Sequence, residues 1–200
     1  MTNELPNLWR GDLVLLRAAE PEDWQRFWAD QDTDAQRSGW MVHWPQSADA
    51  QKKSVTERAN QPQDGSRIFL AIETLDTGAL AGSLTIHRID ERNGAFEYGL
   101  GIFREFWGRG YGPDGIRIAL RYMFSERRFE KVNATVYSFN DKSLAMHRKL
   151  GFVEEGVIRS NLFMNGRRYD EHWFGMTRAE FFERYGASAT LSGSGESPRR

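Results

Sequence analysis

The 200-residue chain has no cysteine. That absence excludes a disulfide framework, a thiolate zinc site and a cysteine nucleophile, and it leaves the redox compartment unreadable from thiols. Charge of one sign is missing too: 27 Lys plus Arg stand against 28 Asp plus Glu, so no basic field draws nucleic acid or an anionic membrane to the protein. Long apolar runs are absent, and Met1 to Pro6 form neither a charged n-region nor an apolar h-region, so no membrane span is expected. The four histidines, at 43, 87, 147 and 172, have no metal-ligand spacing to one another, and no metal site is expected. A soluble, cytoplasmic protein without nucleic-acid or membrane partners follows.

What the chain does have is aromatic bulk, with seven Trp and thirteen Phe, enough to fill one core and still line a ligand cleft. One domain over residues 1–185 is expected, followed by a Ser/Gly/Ala-rich tail, 186–200, with too little apolar content to offset ordering entropy. Asp12 to Arg17 reads as a first strand, and Pro21-Glu-Asp-Trp opens a helix with proline and acids in its first turn. Arg67–Glu73 and Ala79–Arg88 flank the turn-forming Asp76-Thr-Gly78, predicting a hairpin. Gly94–Ile102 is a further strand. From Pro113 to Arg127 the apolar residues Ile116, Ala119, Leu120, Met123 and Phe124 recur at helical spacing, predicting a helix with one buried face. Val132–Tyr137 reads as a strand and Asn140 as the cap of a helix that runs to Leu150, where Gly151-Phe152 breaks it into another strand. Tyr169–Met176 completes the sheet and Thr177–Tyr185 a terminal helix. Strands that come first and then alternate with helices indicate a mixed α/β sheet.

Between strand Gly94–Ile102 and the following helix lie Gly108-Arg109-Gly110-Tyr111-Gly112. Alternate glycines permit unusual backbone angles and let phosphate oxygens approach amides at a helix N-terminus, with Arg109 adding positive charge. Gly110-Tyr-Gly112-Pro-Asp-Gly115 also matches the dinucleotide fingerprint, but no acid ends the next strand, which runs into Ser138-Phe139-Asn140. No Gly-Lys-Ser/Thr follows the glycines and no G-x-S-x-G occurs, which removes a Walker loop and a nucleophile elbow.

The ordered set Phe106-Trp-Gly-Arg-Gly-Tyr-Gly112, Asn140-Asp-Lys-Ser143 and Lys149-Leu-Gly-Phe152 resembles the acetyl-CoA motifs of the GNAT N-acetyltransferases. Leu15-Leu-Arg17 with Glu22-Asp23 is similar to the RimJ/RimL branch, and the likeness spans about residues 12–176. The resemblance implies a mostly antiparallel, splayed sheet of six to seven strands flanked by helices, with acetyl-CoA wedged between diverging strands. It further implies pantetheine pairing with the backbone of Leu100, Gly101 and Ile102, pyrophosphate on the amides of Gly108 through Gly112, and Asn140 reaching the cofactor from the other side. Asn140 is equally a plain helix cap, and Gly151 a plain terminator. Two positions depart from the family: Trp107 stands where many relatives carry Gln or Arg, and Pro113 where many carry Thr.

Direct attack of an amine on the thioester requires a neutral nucleophile, and for a lysine-like amine with pKa about 10.4 only about one molecule in 2,500 is neutral at pH 7, equivalent to roughly 4.6 kcal/mol. Strand alternation puts Glu97 on one face with Gly99 and Gly101, where it could serve as a base or simply pair with a cation. His147 falls where many family members carry the tyrosine that protonates the leaving thiolate, and an imidazolium could take that part. The acceptor, a small-molecule amine or a protein N-terminal amine, is expected near Trp40-Met-Val-His-Trp44, whose Trp40 and Trp44 could stack on it or merely pack a loop. No acid lies between Arg37 and Ala48, which weighs against a polyamine. A catalytically weak acyl-CoA-binding or regulatory protein is the alternative to an enzyme, and a homodimer is the commonest arrangement in the family.

Overall fold

The amphipathic segment after the glycine loop organises the architecture. Ile116, Ala119, Leu120, Met123 and Phe124 are all at most 2% exposed, laid against the sheet by a helix that packs on four of its strands. Each such aliphatic or aromatic side chain contributes roughly 1.5–3 kcal/mol on leaving water.

The computed structural model describes residues 7–30, 32–38, 42–60 and 66–186. The strands are β1 (Val14–Ala18), β2 (Ile68–Thr74), β3 (Leu80–Asp90), β4 (Ala95–Ile102), β5 (Lys131–Tyr137), β6 (Val153–Met164) and β7 (Arg167–Thr177). The helices are α1 (Trp24–Ala29), α2 (Thr33–Ser38), α3 (Ala48–Asn60), α4 (Tyr111–Ser125), α5 (Asp141–Leu150) and α6 (Arg178–Tyr185). The seven strands form one sheet in the order β1-β2-β3-β4-β5-β7-β6, antiparallel throughout except for the parallel β4–β5 pair. Helices α4, α5 and α6 cover one face through a continuous core that includes Ile116, Phe124, Leu144 and Phe181. On the other face, over β2, Phe27 of α1 and Arg58 of α3 rest on the Phe69 ring. Among the described residues no helix is long and apolar enough to cross a membrane.

Most expected elements are present, with informative shifts. The chain from Pro21 begins as a 3-10 turn, Pro21–Asp23, and only then becomes α-helical. The hairpin at Asp76-Thr-Gly78 is closed by Thr74 N–H donating to Ala79 C=O, with Gly78 at φ +70. Helix α4 starts two residues before Pro113, because Gly110 adopts φ +84 and caps it. Strand β7 begins two residues before Tyr169 and is joined to β6 at Asn165-Gly166 with φ +49 and +73, the left-handed pair that a two-residue hairpin turn demands. Residues 187–200 lie outside the described residues.

One buried carboxylate ties the start of the sheet to α4. Asp114, 2% exposed, accepts from the backbone N–H of Leu13 (2.7 Å), Val14 (3.0 Å) and Asp12 (3.3 Å), and Arg117 donates to it at 2.7 Å. A β-carbon at Gly11 would collide with this carboxylate. Asp114→Ala should lower unfolding free energy by about 2–4 kcal/mol, because it strands buried donors and a cation together. Urea denaturation checks this, and a loss below about 0.5 kcal/mol, the range of neutral surface changes, contradicts the assignment.

Candidate active site

Strands β4 and β5 are in register for three pairs, Ala95↔Lys131, Phe96↔Val132 and Glu97↔Asn133. Both strands continue, β4 to Ile102 and β5 to Tyr137, but no further pairing joins them. On its other edge β4 stays paired with β3 as far as Ile102↔Gly82, and Phe103 N–H donates to Ala81 C=O at 2.9 Å. Backbone groups in an antiparallel ladder alternate in direction, so those of Gly99 and Gly101 turn to β3 and those of Leu100 and Ile102 turn to the gap. A β-carbon on Gly82 would collide with the Gly101 carbonyl oxygen, which places that oxygen on the β3 side. Of the three residues expected to pair with pantetheine, Leu100 and Ile102 thus present backbone to the gap.

At the wide end of the gap lies the glycine loop. Gly108 and Gly110 have φ +76 and +84, angles that side-chain-bearing residues rarely adopt. Gly110 caps α4, with Asp114 N–H donating to its carbonyl, so the amides of Tyr111 and Gly112 belong to the first helical turn, where no intrahelical partner exists. Gly112 faces β4 and α5: a β-carbon there would sit 3.0 Å from Leu100 Cδ2 and 3.8 Å from Met146 Sδ. The Tyr111 side chain, 6% exposed, turns away into the core beside Phe106, so this residue offers the gap its amide and not its ring.

Trp107, where the family favours Gln or Arg, is anchored by its indole N–H donating to the Ile102 carbonyl at 2.7 Å. The guanidinium of Arg104 lies 4.7 Å and the amine of Lys142 lies 4.9 Å from its ring centroid, while Arg109 lies 5.6 Å from the Phe106 ring. Arg104 is also ion-paired with Asp32. The tryptophan therefore gathers cations at the loop, from Arg104 of the 3-10 turn Arg104–Phe106 on one side and from α5 on the other. Lys142 carries a signal the sequence reading passed over, because only the fold brings α5 back beside the loop.

Asn140 caps α5, its Oδ1 accepting from Ser143 N–H at 3.1 Å. Two turns on, His147 is 4% exposed, enclosed by the rings of Tyr98, Phe152 and Phe174. Its Nδ1 lies 2.8 Å from the Ser143 carbonyl, an acceptor only, so Nδ1 carries the proton. Nε2, 2.8 Å from the Tyr98 hydroxyl, must then accept from it. Burial holds the His147 imidazole below its ordinary value, opposed by the Ser143 hydrogen bond, and burial pushes the Tyr98 phenol well up. In this state the pair is neutral.

Glu97 lies on the opposite face of β4 with Gly99 and Gly101. Its side chain is 13% exposed, and Arg88 Nη1 lies 3.2 and 3.3 Å from its two oxygens. Trp44 is 89% exposed, and Trp40 lies outside the described residues. Among the described residues no three His, Asp or Glu side chains converge as a metal site.

Residues 14–153 match the acetyltransferase (GNAT) domain, and the chain belongs to that family. It is similar to the SPbeta prophage-derived uncharacterized N-acetyltransferase YokL of Bacillus subtilis, 38% identical over 173 residues, covering 86% of this chain and 94% of YokL. The putative ribosomal N-acetyltransferase YdaF of the same organism is 29% identical over 84% of this chain and 93% of its own length. The spermidine N-acetyltransferase of Vibrio cholerae, solved in complex with CoA and spermine, shares the fold, with TM-score 0.71 and 22% identity over 84% of this chain and 98% of its own.

The buried histidine makes a pH prediction. His147 has a folded value below the unfolded one, so as pH falls below about 6.5 the unfolded chain binds a proton that the native state refuses, and stability drops by up to about 1.4 kcal/mol per pH unit. The contribution is complete above that value. Melting temperatures from pH 7.5 to 5.5 should fall more steeply for the native sequence than for His147→Gln; parallel curves contradict a neutral His147.

Proposed function

We propose that this chain is an N-acetyltransferase that moves an acetyl group from acetyl-CoA to a primary amine, on a small molecule or a protein N-terminus, by direct attack. The observation that carries the reading is the gap where β4 and β5 part company, with first-turn amides of a glycine-capped helix at its mouth. Leu15-Leu-Arg17 and Glu22-Asp23 favour the RimJ/RimL-like branch, and the cytoplasm is where we place the protein.

In this reading the pantetheine arm runs along β4 as an added strand would, bonded to the backbone of Leu100 and Ile102. The pyrophosphate rests on the amides of Gly108 to Gly112, with Arg109 and Lys142 supplying charge and Asn140 bordering the cofactor from α5. The amine arrives over Glu97, Gly99 and Gly101, the small residues leaving room, and Trp44 is exposed to meet the rest of the acceptor. Its nitrogen bonds to the carbonyl carbon, the N–H of Ile102 or Leu100 meets the developing oxyanion, and the carbon–sulfur bond breaks. Tyr98 with His147 stands on the α5 side of β4 as the hydrogen-bonding pair for the departing sulfur. A CoA-binding protein without turnover is the second reading, and the specific observation in its favour is that both His147 nitrogens are already engaged.

Thiol release from acetyl-CoA, with spermidine and with peptides bearing a free α-amino group, separates the two readings. Turnover with an acetylated product seen by mass spectrometry is expected; CoA binding with no turnover on any amine favours the binder. Gly110→Ala should raise the KM for acetyl-CoA about tenfold while changing kcat little, since a side chain at φ +84 costs about 1–2 kcal/mol. An unchanged KM contradicts the loop's role.

A further inference from the structure

The amine's proton needs a destination, and the residue best placed to take it is one that neither motif nor family marks. We propose that His87 is the catalytic base, with Glu97 and Arg88 as its electrostatic frame; this rests on the acetyl-transfer reading above.

His87 on β3 pairs directly with Glu97 on β4, so both side chains rise from the same face of the sheet as Gly99 and Gly101. Its Nε2 lies 3.8 Å from the point where a β-carbon of Gly99 would be. The ring therefore leans along β4 over the glycine, toward the space left for the amine. Thr85 and Ser83, opposite Gly99 and Gly101, continue a floor of small polar residues along that face.

The strand irregularity beside His87 serves this arrangement. Register between β3 and β4 slips between His87 and Asp90, and Arg88 sits there at φ +47, a left-handed angle that costs a residue with a side chain about 1–3 kcal/mol. Strict alternation would send Arg88 to the face opposite His87. The slip instead lets its guanidinium reach both Glu97 oxygens. Glu97 is thus already engaged by a cation, while among the described residues no hydrogen bond or ion pair holds the His87 ring.

The groups facing His87 are Glu97 from β4, Arg88 from its own strand and Arg67 from the residue just before β2. Burial, the largest influence, together with the two arginines lowers the imidazole below its ordinary value, against the opposing pull of Glu97. It is therefore neutral and able to accept at pH 7. The proton balance is simple. An ammonium acceptor gives one proton to His87 Nε2 and becomes nucleophilic. After the nitrogen–carbon bond forms, its second proton ends on the thiolate released by carbon–sulfur cleavage, and His87 returns the first to solvent.

The test uses the full chain with acetyl-CoA and the same spermidine and peptide amines, comparing the native sequence with His87→Ala, His87→Gln and Glu97→Gln. At pH 7 both His87 variants should lose about a hundredfold or more in kcat/KM, the usual worth of a general base, with CoA affinity unchanged. The acid-side inflection of the native pH profile, below pH 6.5, should vanish in them, and added imidazole should restore part of the activity of His87→Ala. A pH profile and rate indifferent to His87 overturn the proposal while leaving acetyl transfer intact. Loss of activity accompanied by weaker CoA binding and no imidazole rescue marks a structural role and overturns it as well. Failure of the native sequence to release thiol with any amine, despite binding CoA, removes acetyl transfer itself and His87's part with it.

Discussion

Two parallel strands that bond for three residue pairs and then separate are the constraint on which the rest depends. Backbone N–H and C=O groups are obligatory hydrogen-bonding groups, and a strand edge opened inside a sheet calls for a substitute partner. Continuity of the sheet on both flanks, β1 to β4 on one side and β5, β7, β6 on the other, holds the gap open. The chain fills one position itself, with the Trp107 indole on the Ile102 carbonyl, and in the proposed function an extended polar ligand fills the remainder. A thioester-bearing pantetheine arm has that shape and those amides.

In the proposed reaction the two faces of β4 divide the work. Phe96 and Tyr98 point into the core beneath α4 and α5, where burial keeps Tyr98 and His147 uncharged. Glu97, Gly99 and Gly101 point the other way, beside His87 and Arg88, where charge is tolerated and space is left. A strand's period of two thus separates a dry side suited to a leaving sulfur from a polar side suited to an arriving amine, one residue apart along the chain. Asp114 secures the geometry from beneath by locking the first turn of α4 to the chain entering β1, so the glycine loop is held at both ends.

Elements whose information is local were legible in the sequence. The buried stripe from Ile116 to Phe124, the Asp76-Thr-Gly78 hairpin and the Asn140 cap are each written within a few neighbouring residues, and the ordered GNAT motifs located the loop and the divergent strands. The Asn165-Gly166 turn is written just as plainly, and it carries β7 back to Arg167. Pro113, a common first-turn residue, marks the start of α4 in the sequence, whereas the left-handed Gly110 caps the helix so that it begins two residues earlier. What was not legible depends on pairing across the fold. The slip that carries Arg88 onto Glu97, the Tyr98 hydroxyl on His147 and the cations assembled on Trp107 all join residues from separate elements. No spacing rule places His147 within hydrogen-bonding distance of residue 98, and its neutral, enclosed state follows only from three aromatic rings converging from β4, β7 and the chain after α5.

The most direct test of the open-edge account is amide hydrogen exchange with and without coenzyme A. New protection is expected at Leu100, Ile102 and residues 108–112, with Gly101, already turned to β3, unchanged. Protection elsewhere with those amides unaltered, or no change on adding coenzyme A, would contradict it.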